Sequence, residues 1–326
     1  DLKTVYECVN VRLCNYLSVG EISDGPVKAI QLVRFGLVDP VRLFIKNEPH
    51  SSEKVETGRL RLVSSVSMID EIIERLLFGA QNEAEIRNWS TCLSKPGMGL
   101  SQDAQASILY ASAEAHLPNG KKSDISGWDW CFKDWLYKAD LQMRARLNNG
   151  FGTKWYQLAK RRFECMMWTL FATSSGRVFA QMKPGIMLSG SYLTSSTNSR
   201  GRVLLARLCQ SIWAMAMGDD CIEDSPLSPS EMEEIYRSFG FRIRDVAECE
   251  KDSFEFCSNE VHADKAIPQN FAKGLFRLLS KEPKLLNYVQ FLNEYRHRPD
   301  DLSRVRSFLL TLPDWCREIS VLNEEH

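Results

Sequence analysis

The sequence predicts an α+β fold that brings two acidic strand ends together, and three observations predict it. Residues 212–217 are apolar, Gly218-Asp219-Asp220 is tight, and Cys221-Ile222 is apolar again, which reads as strand, turn, strand in an antiparallel pair. Asp124 ends a short strand after the turn at Pro118-Asn119-Gly120. Around these strands apolar residues recur at helical spacing, as at Phe132, Trp135, Leu136, Ala139 and Met143. Asp124 and Asp219 are far apart in sequence, so they meet only if their strands lie side by side.

Residues 2–17 read as one helix, followed by a loop at Ser23-Asp24-Gly25-Pro26. Residues 41–66 read as extended. Positions 41–46 and 59–63 alternate, so two strands would present their basic side chains on one face. Residues 69–78, 83–89 and 102–116 are helical, as are 130–147 and 155–171. Ser174-Ser-Gly-Arg177 makes a short hairpin. Pro184-Gly185 and Ser189-Gly190 make a flexible loop that enters a helix through Val203, Leu204, Leu205, Leu208 and Ile212. Ser228-Pro-Ser-Glu-Met-Glu-Glu opens a helix with a hydroxyl cap and an acidic first turn. It runs to Phe239, before a strand at 241–244. Three amphipathic helices at 270–280, 283–296 and 301–310 close the chain, and a plain helical bundle would look the same.

Three segments carry chemistry. Carboxylates at the ends of adjacent strands are what a two-metal phosphoryl-transfer site needs. A hard ion such as Mg²⁺ keeps waters and phosphates, so one or two carboxylates per ion suffice. Alone, Gly-Asp-Asp is also an ordinary hairpin turn. Asp129, five residues after Asp124, is either part of the site or merely the cap of the helix that follows. Between 189 and 199 stand eight Ser, Thr and Asn residues, more than a helix cap needs. They suit a surface that hydrogen-bonds sugar hydroxyls and a template backbone.

The 326 residues are 44% hydrophobic, enough for two or three ordinary domains or one composite fold. A net charge of −1 gives no nucleic-acid signal, but its distribution does. Residues 141–210 hold eleven Lys/Arg against Glu164 alone, and residues 211–260 hold thirteen acids against four bases. A basic stretch beside an acidic one fits a phosphate channel leading to metal, or simply solvated helix faces. Ten cysteines without a C-x-x-C pair and five scattered histidines make no zinc pattern. Free thiols in a reducing compartment are expected. No apolar run approaches the ~20 residues of a membrane span, and no signal peptide is visible. His50 reads as a polar turn residue, and Trp128 and Trp130 as core rather than base-stacking surfaces.

In their order these segments resemble the RNA-dependent RNA polymerases of positive-strand RNA viruses, and the wording is similar to the sobemovirus and polerovirus group. Ser189-Gly-Ser-Tyr-Leu-Thr-Ser-Ser-Thr-Asn-Ser199 and Ala216-Met-Gly-Asp-Asp220 resemble that group's motifs B and C. Lys46-Asn-Glu-Pro-His50 with Gly58-Arg-Leu-Arg-Leu-Val-Ser-Ser65 resembles motif F, and Asp124-Ile-Ser-Gly-Trp-Asp129 motif A. Phe254-Glu-Phe-Cys-Ser-Asn259 resembles the primer-grip motif E. The ordered matches run from about residue 42 to 260.

The resemblance implies a right-hand polymerase fold with fingers, a palm built on an antiparallel sheet, and a helical thumb. Fingers would take 1–123 and 150–183, palm 124–149 and 184–253, and motif E with the thumb 254–326. It implies that Asp124 and Asp219 hold two Mg²⁺ ions, which Mn²⁺ can replace, with Asp220 assisting. It implies that Asp129 and Asn198 contact the incoming ribose, beside Ser189, Gly190 and Thr194. Lys46, Lys54 and Arg61, with Arg59, would line the NTP route, and Lys251 would protonate the pyrophosphate leaving group. In the basic stretch Arg161 and Arg162 would track RNA backbone. The implied partners are RNA template, nascent RNA, NTPs and other viral replication proteins, a genome-linked protein among them. The implied location is the host cytoplasm, in membrane-associated replication complexes. The start at Asp1 rather than Met implies a polyprotein product or an excerpt, with the N-terminal part of the fingers missing.

Two other readings compete. A reverse transcriptase shares the palm, but Asp129 and Asn198 are hydrogen-bonding groups suited to a ribose, where a DNA-making enzyme would show a bulky gate. An inactive RNA-binding subunit would show salt-sensitive RNA affinity without metal-dependent synthesis. The intact acids argue against it.

Overall fold

The computed structural model describes residues 1–50, 52–280 and 284–309. The chain opens with α1 (Leu2–Ser18), α2 (Lys28–Arg34), β1 (Val41–Ile45), α3 (Ser52–Glu56), β2 (Leu62–Ser65), α4 (Met68–Arg87) and α5 (Asp103–Ala113). Then come β3 (Gly120–Ile125), α6 (Trp128–Cys131), α7 (Asp134–Leu147), α8 (Lys154–Met167), β4 (Leu170–Thr173), β5 (Val178–Ala180) and α9 (Thr194–Ala206). The central hairpin is β6 (Trp213–Met217) and β7 (Asp220–Asp224), followed by α10 (Pro229–Ser238) and β8 (Ile243–Glu248). Last are β9 (Phe254–Phe256), β10 (Asn259–Val261), β11 (Ala266–Pro268), α11 (Phe271–Leu279), α12 (Leu285–Glu294) and α13 (Pro299–Leu309). Pro283 and Leu310, at the edges of two expected helices, lie outside the described residues.

The chain divides into two compact units, Asp1–Gly97 with Ser123–Ala247 and Met98–Lys122 with Glu248–His326. Residues 98–122 group with the C-terminal segment. In the first unit one sheet runs β2-β1-β4-β5, with β1 antiparallel to β2 and parallel to β4. The other runs β6-β7-β3-β8 and carries the acids. Beneath them lies an aromatic core in which Phe78 meets Phe163 edge-on at 5.5 Å and Phe132 meets Tyr137 at 4.9 Å. Burying each such ring contributes roughly 1.5–3 kcal/mol. The second unit holds the antiparallel meander β9-β10-β11 and a cluster of Tyr288, Phe291, Leu292, Tyr295, Leu302 and Val305.

Three expectations change locally. The two helices expected at 69–78 and 83–89 are one helix, α4, capped by Ser67, whose hydroxyl accepts from the Asp70 amide. The helix expected over 130–147 is broken, because Phe132 turns extended and its carbonyl accepts from the Ile186 amide at 2.8 Å. Arg59 and Arg61 fall before β2 rather than within it, since α3 and its loop occupy that stretch. The helix opened by Ser228 forms as expected, with a capping box to Glu231. Among the described residues no helix is long and apolar enough to cross a membrane.

Candidate active site

The β6–β7 hairpin closes on the pair Met217–Asp220, leaving Gly218 and Asp219 as a two-residue turn. Gly218 takes the positive-φ first place (φ 67°), which suits a tight hairpin and costs glycine nothing. Ser199 of α9 accepts the Gly218 amide at 3.0 Å, tying the hairpin tip to the helix. The open edge of β6 is covered by residues 93–95, through Ala216 N to Leu93 O at 3.1 Å and Lys95 N to Ala216 O at 2.8 Å. The sheet places β3 beside β7, so Asp124 lies on the strand next to Asp220.

The charges of these acids bear on one another. The Asp219 carboxyl is held above its usual range, first by surrounding protein mass and then by the neighbouring Asp124 charge. Asp129 is likewise raised, first by burial and then by the Asp219 charge, against a lowering hydrogen bond from Asn198. Arg61 acts in the opposite sense on both. Arg244 on β8 pairs with Asp124, with Nη1 at 3.5 Å from Oδ2. No motif singled out Arg244, and only its place on the strand next to Asp124 marks it.

Asn198 lies on α9, and its Nδ2 donates to Asp129 Oδ1 at 2.8 Å. Its Oδ1 is buried without a partner among the described residues. An unsatisfied buried acceptor is costly, which suits a position completed by a ligand donor. The helix-cap reading of Asp129 does not hold, because Gly127 is the N-cap of α6 and Asp129 stands in its first turn.

The hydroxyl-rich stretch is mostly internal, which corrects the expectation of a ligand-binding surface. Ser196, Thr197 and Ser199 are buried. Ser196 bonds Glu85, and Thr197 bonds Asp140 at 2.8 Å. Thr194 Oγ1 donates to Leu188 O and Ser191 O, and Ser189 Oγ accepts from Ser64 N at 3.0 Å, so both hold the loop. Gly190 donates to Ser64 O, and a Cβ there would stand 2.4 Å from that oxygen, so only glycine fits. Glu74 of α4 anchors the same loop, accepting from Ser191 Oγ at 2.9 Å and Tyr192 N at 2.8 Å. Glu74, Asn82 and Glu85 went unmarked in the sequence. Their signal is polar residues at the helical spacing of Phe78, on the face α4 buries.

Lys46 and Arg61 come together through Glu48, at 3.1 and 2.9 Å. His50 accepts the Arg61 amide at 3.1 Å, a structural role as expected. Arg59 pairs with Glu53, and Lys54 lies within the exposed α3. Lys251 lies in an exposed bend before β9, in the second unit. Trp128 is core, against Phe132 at 5.2 Å, whereas Trp130 is exposed.

Part of the basic stretch is internal. Arg162 is fully buried against Glu74, with NH2 to Oε1 at 2.5 Å, and Arg161 bonds Glu164, Val19 O and Gly20 O. Arg144 pairs with buried Asp140 at 3.0 Å, and Arg202 with buried Glu223 at 3.0 Å. The expectation that Arg161 and Arg162 follow RNA is therefore corrected: Arg161 is engaged by Glu164 and by the Val19 and Gly20 carbonyls, and Arg162 by Asp70 and Glu74.

The donor set fits a divalent cation. Among the described residues no three His, Cys, Asp or Glu side chains form a self-sufficient metal cage. Asp124 and Asp219 instead crowd two carboxylates whose charges oppose each other, a repulsion that a hard cation relieves. An ion held by so few carboxylates completes its shell with water and substrate phosphates.

The sequence profile of the viral RNA-directed RNA polymerases matches residues 21–275. The replicase polyprotein P2AB of Southern bean mosaic virus is 42% identical over 288 residues, covering 86% of this chain and 29% of that protein. Protein P1-P2 of Turnip yellows virus is 36% identical over 323 residues, covering 92% of this chain and 30% of that protein. The chain thus spans less than a third of the curated relatives it matches. Among solved structures, the RNA-dependent RNA polymerase of a human picorbirnavirus aligns with a TM-score of 0.64 at 13% identity, over 98% of this chain and 70% of that one. The Sicinivirus 3Dpol RNA dependent RNA polymerase aligns with a TM-score of 0.60 at 15% identity, over 83% of this chain and 58% of that one. These two likenesses carry the fold, which is the right-hand polymerase fold expected above. The sequence matches establish that the chain belongs to the viral RNA-directed RNA polymerase family.

Proposed function

We propose that this chain performs template-directed RNA synthesis, in which the 3′-hydroxyl of a growing RNA attacks the α-phosphate of an NTP and pyrophosphate leaves. One observation carries the reading. β3, which carries Asp124, lies beside the β6–β7 hairpin that carries Asp219; the Asp124 charge acts on Asp219, the Asp219 charge on Asp129, and Arg61 opposes both effects, beside an Asn198 acceptor without a partner among the described residues. In this reading Asp124 and Asp219 hold the metal, with Asp220 at their side. Two Mg²⁺ ions, replaceable by Mn²⁺, would lower the hydroxyl pKa and neutralise the phosphates. Arg61 and Lys46, tethered by Glu48, meet the triphosphate, with Lys54 and Arg59 nearer the surface. A guanidinium there grips phosphate bidentately. Asn198 and Asp129 read the ribose, while Ser189, Gly190 and Thr194 shape the loop that presents them. Lys251 is the proposed donor to pyrophosphate, on its position in the chain.

The proposed partners are RNA template, nascent RNA, NTPs and other viral replication proteins, a genome-linked protein among them. The proposed setting is a membrane-associated replication complex in the host cytoplasm. The test is incorporation of labelled NTP on homopolymer templates with Mg²⁺ or Mn²⁺. The expected result is incorporation only of the nucleotide complementary to the template. Asp219→Asn is expected to lower it at least about 100-fold, the scale of losing one preorganised charge. Incorporation that ignores the template, or survives in Asp219→Asn, refutes the reading.

A further inference from the structure

Behind the acids lies a polar cluster that this chemistry does not use. Ser123, Arg202, Ser211, Glu223 and Tyr236 are all buried. Glu223 Oε1 accepts from Ser123 Oγ at 2.5 Å and from Arg202 NH2 at 3.0 Å. Its Oε2 accepts from Tyr236 OH at 2.7 Å and from Ser211 Oγ at 3.0 Å. Arg202 also donates to Ser123 Oγ and, at 3.2 Å, to Tyr236 OH, with its guanidinium 5.2 Å from the Tyr236 ring.

The elements that carry Asp124, Asn198 and Asp220 each contribute to this cluster. Ser123 precedes Asp124 on β3, so strand alternation turns the two to opposite faces. Arg202 lies one turn beyond Asn198 on the same side of α9. Glu223 lies three residues beyond Asp220 on β7. Tyr236 comes from α10 and closes the cluster.

Stability alone does not explain a buried ion pair. Desolvation offsets much of the attraction, and apolar side chains of similar volume often serve as well or better. What the pair adds is direction, because a planar guanidinium and a carboxylate accept few relative placements. We propose that Arg202 and Glu223 are positioning residues that lock β3, β7 and α9 in the one relative placement at which Asp124, Asp219 and Asn198 act on a single substrate. This inference rests on the polymerase reading above.

The test compares the parent with Arg202→Met/Glu223→Leu, which replaces the pair by apolar side chains, and with Tyr236→Phe. Three quantities are measured: the thermal midpoint, the Kd for Mn²⁺ of the RNA-free chain by electron paramagnetic resonance, and single-nucleotide kcat and KM. The double variant is expected to keep its thermal midpoint, while Mn²⁺ binding weakens about tenfold and kcat falls about tenfold, the usual cost of losing orienting groups. A folded double variant with parental Mn²⁺ affinity and kcat overturns the inference. If the double variant does not fold, Tyr236→Phe decides. It leaves the ion pair but removes one hydroxyl, and about two- to threefold weaker Mn²⁺ binding supports the inference, on the same grounds. Parental affinity there overturns it. A parent that binds Mn²⁺ yet makes no RNA refutes the polymerase reading, and the Mn²⁺ comparison still decides the positioning claim. A parent that binds no Mn²⁺ refutes both.

Discussion

Asn198 is the residue whose surroundings most constrain the chemistry. Its amide nitrogen donates to Asp129 at 2.8 Å and its amide oxygen has no partner among the described residues. A site built to bond a hydroxyl rejects the analogue that lacks it, because its own polar groups are left unpaired. Asn198→Ala is therefore expected to cut ribonucleotide incorporation and to narrow the preference over deoxyribonucleotides. The check is the ratio of the two kcat/KM values, which an uninvolved Asn198 would leave unchanged. Asp219 makes a separate prediction about stability. Its folded-state carboxyl is raised, first by surrounding protein and then by Asp124. A raised carboxyl costs no stability below its unfolded-state pKa, and the cost develops as pH rises through the folded-state value. Asp219→Asn should thus raise the thermal midpoint of the metal-free protein at neutral pH, and the gain should vanish as pH falls into the ordinary carboxylate range. A gain that persists in acid would place its origin outside charge repulsion.

At the scale of elements, the site is held by contacts between α9, its preceding loop, β2 and α4. Gly190 lies so close to β2 that a Cβ would stand 2.4 Å from the Ser64 carbonyl, which is backbone and cannot swing aside. Gly190→Ala is expected to cost about 1–3 kcal/mol of stability, as overpacking does. It should also raise the NTP KM by displacing the loop. Urea denaturation and steady-state kinetics check the two halves, and a variant unchanged in both would show that the contact is dispensable. Most of these elements could be read from the chain. The Gly218-Asp219 hairpin and the capped helix at Ser228 formed where turn and cap chemistry pointed. The break at Phe132 could not be read locally, because the hydrogen bond that makes it comes from Ile186, beyond α7 and α8. For the same reason the Ser and Thr residues of the 189–199 stretch looked like a ligand surface. Their partners, Glu74, Glu85 and Asp140, come from helices remote in sequence.

For the whole molecule, a run of like charge in the sequence proves a poor guide to the field it produces. Within the basic stretch at 141–210 the buried arginines are paired with buried acids, Arg162 with Glu74, Arg144 with Asp140 on the same helix, and Arg202 with Glu223, while Arg146, Lys154, Lys160, Arg177, Lys183 and Arg207 are exposed. Arg162→Ala is accordingly expected to destabilise the fold by about 3–5 kcal/mol, the cost of stranding a buried carboxylate. RNA affinity of the folded fraction should not change. Equilibrium unfolding and a salt titration of template binding separate these outcomes. A variant with normal stability and a flattened salt dependence would restore the RNA-tracking role. The acids at 124 and 219 were legible because turn and strand patterns place them locally, whereas ion-pair partners are chosen by tertiary contact. The central claim is that Asp124 and Asp219, from distant segments, form one catalytic unit. Its most direct measurement is single-nucleotide incorporation by the parent, Asp124→Ala, Asp219→Ala and the double variant. Groups that act as a unit lose nearly everything at the first removal, so the double variant should be no slower than either single. Losses that multiply, or either single variant keeping appreciable activity while folded, would contradict the account.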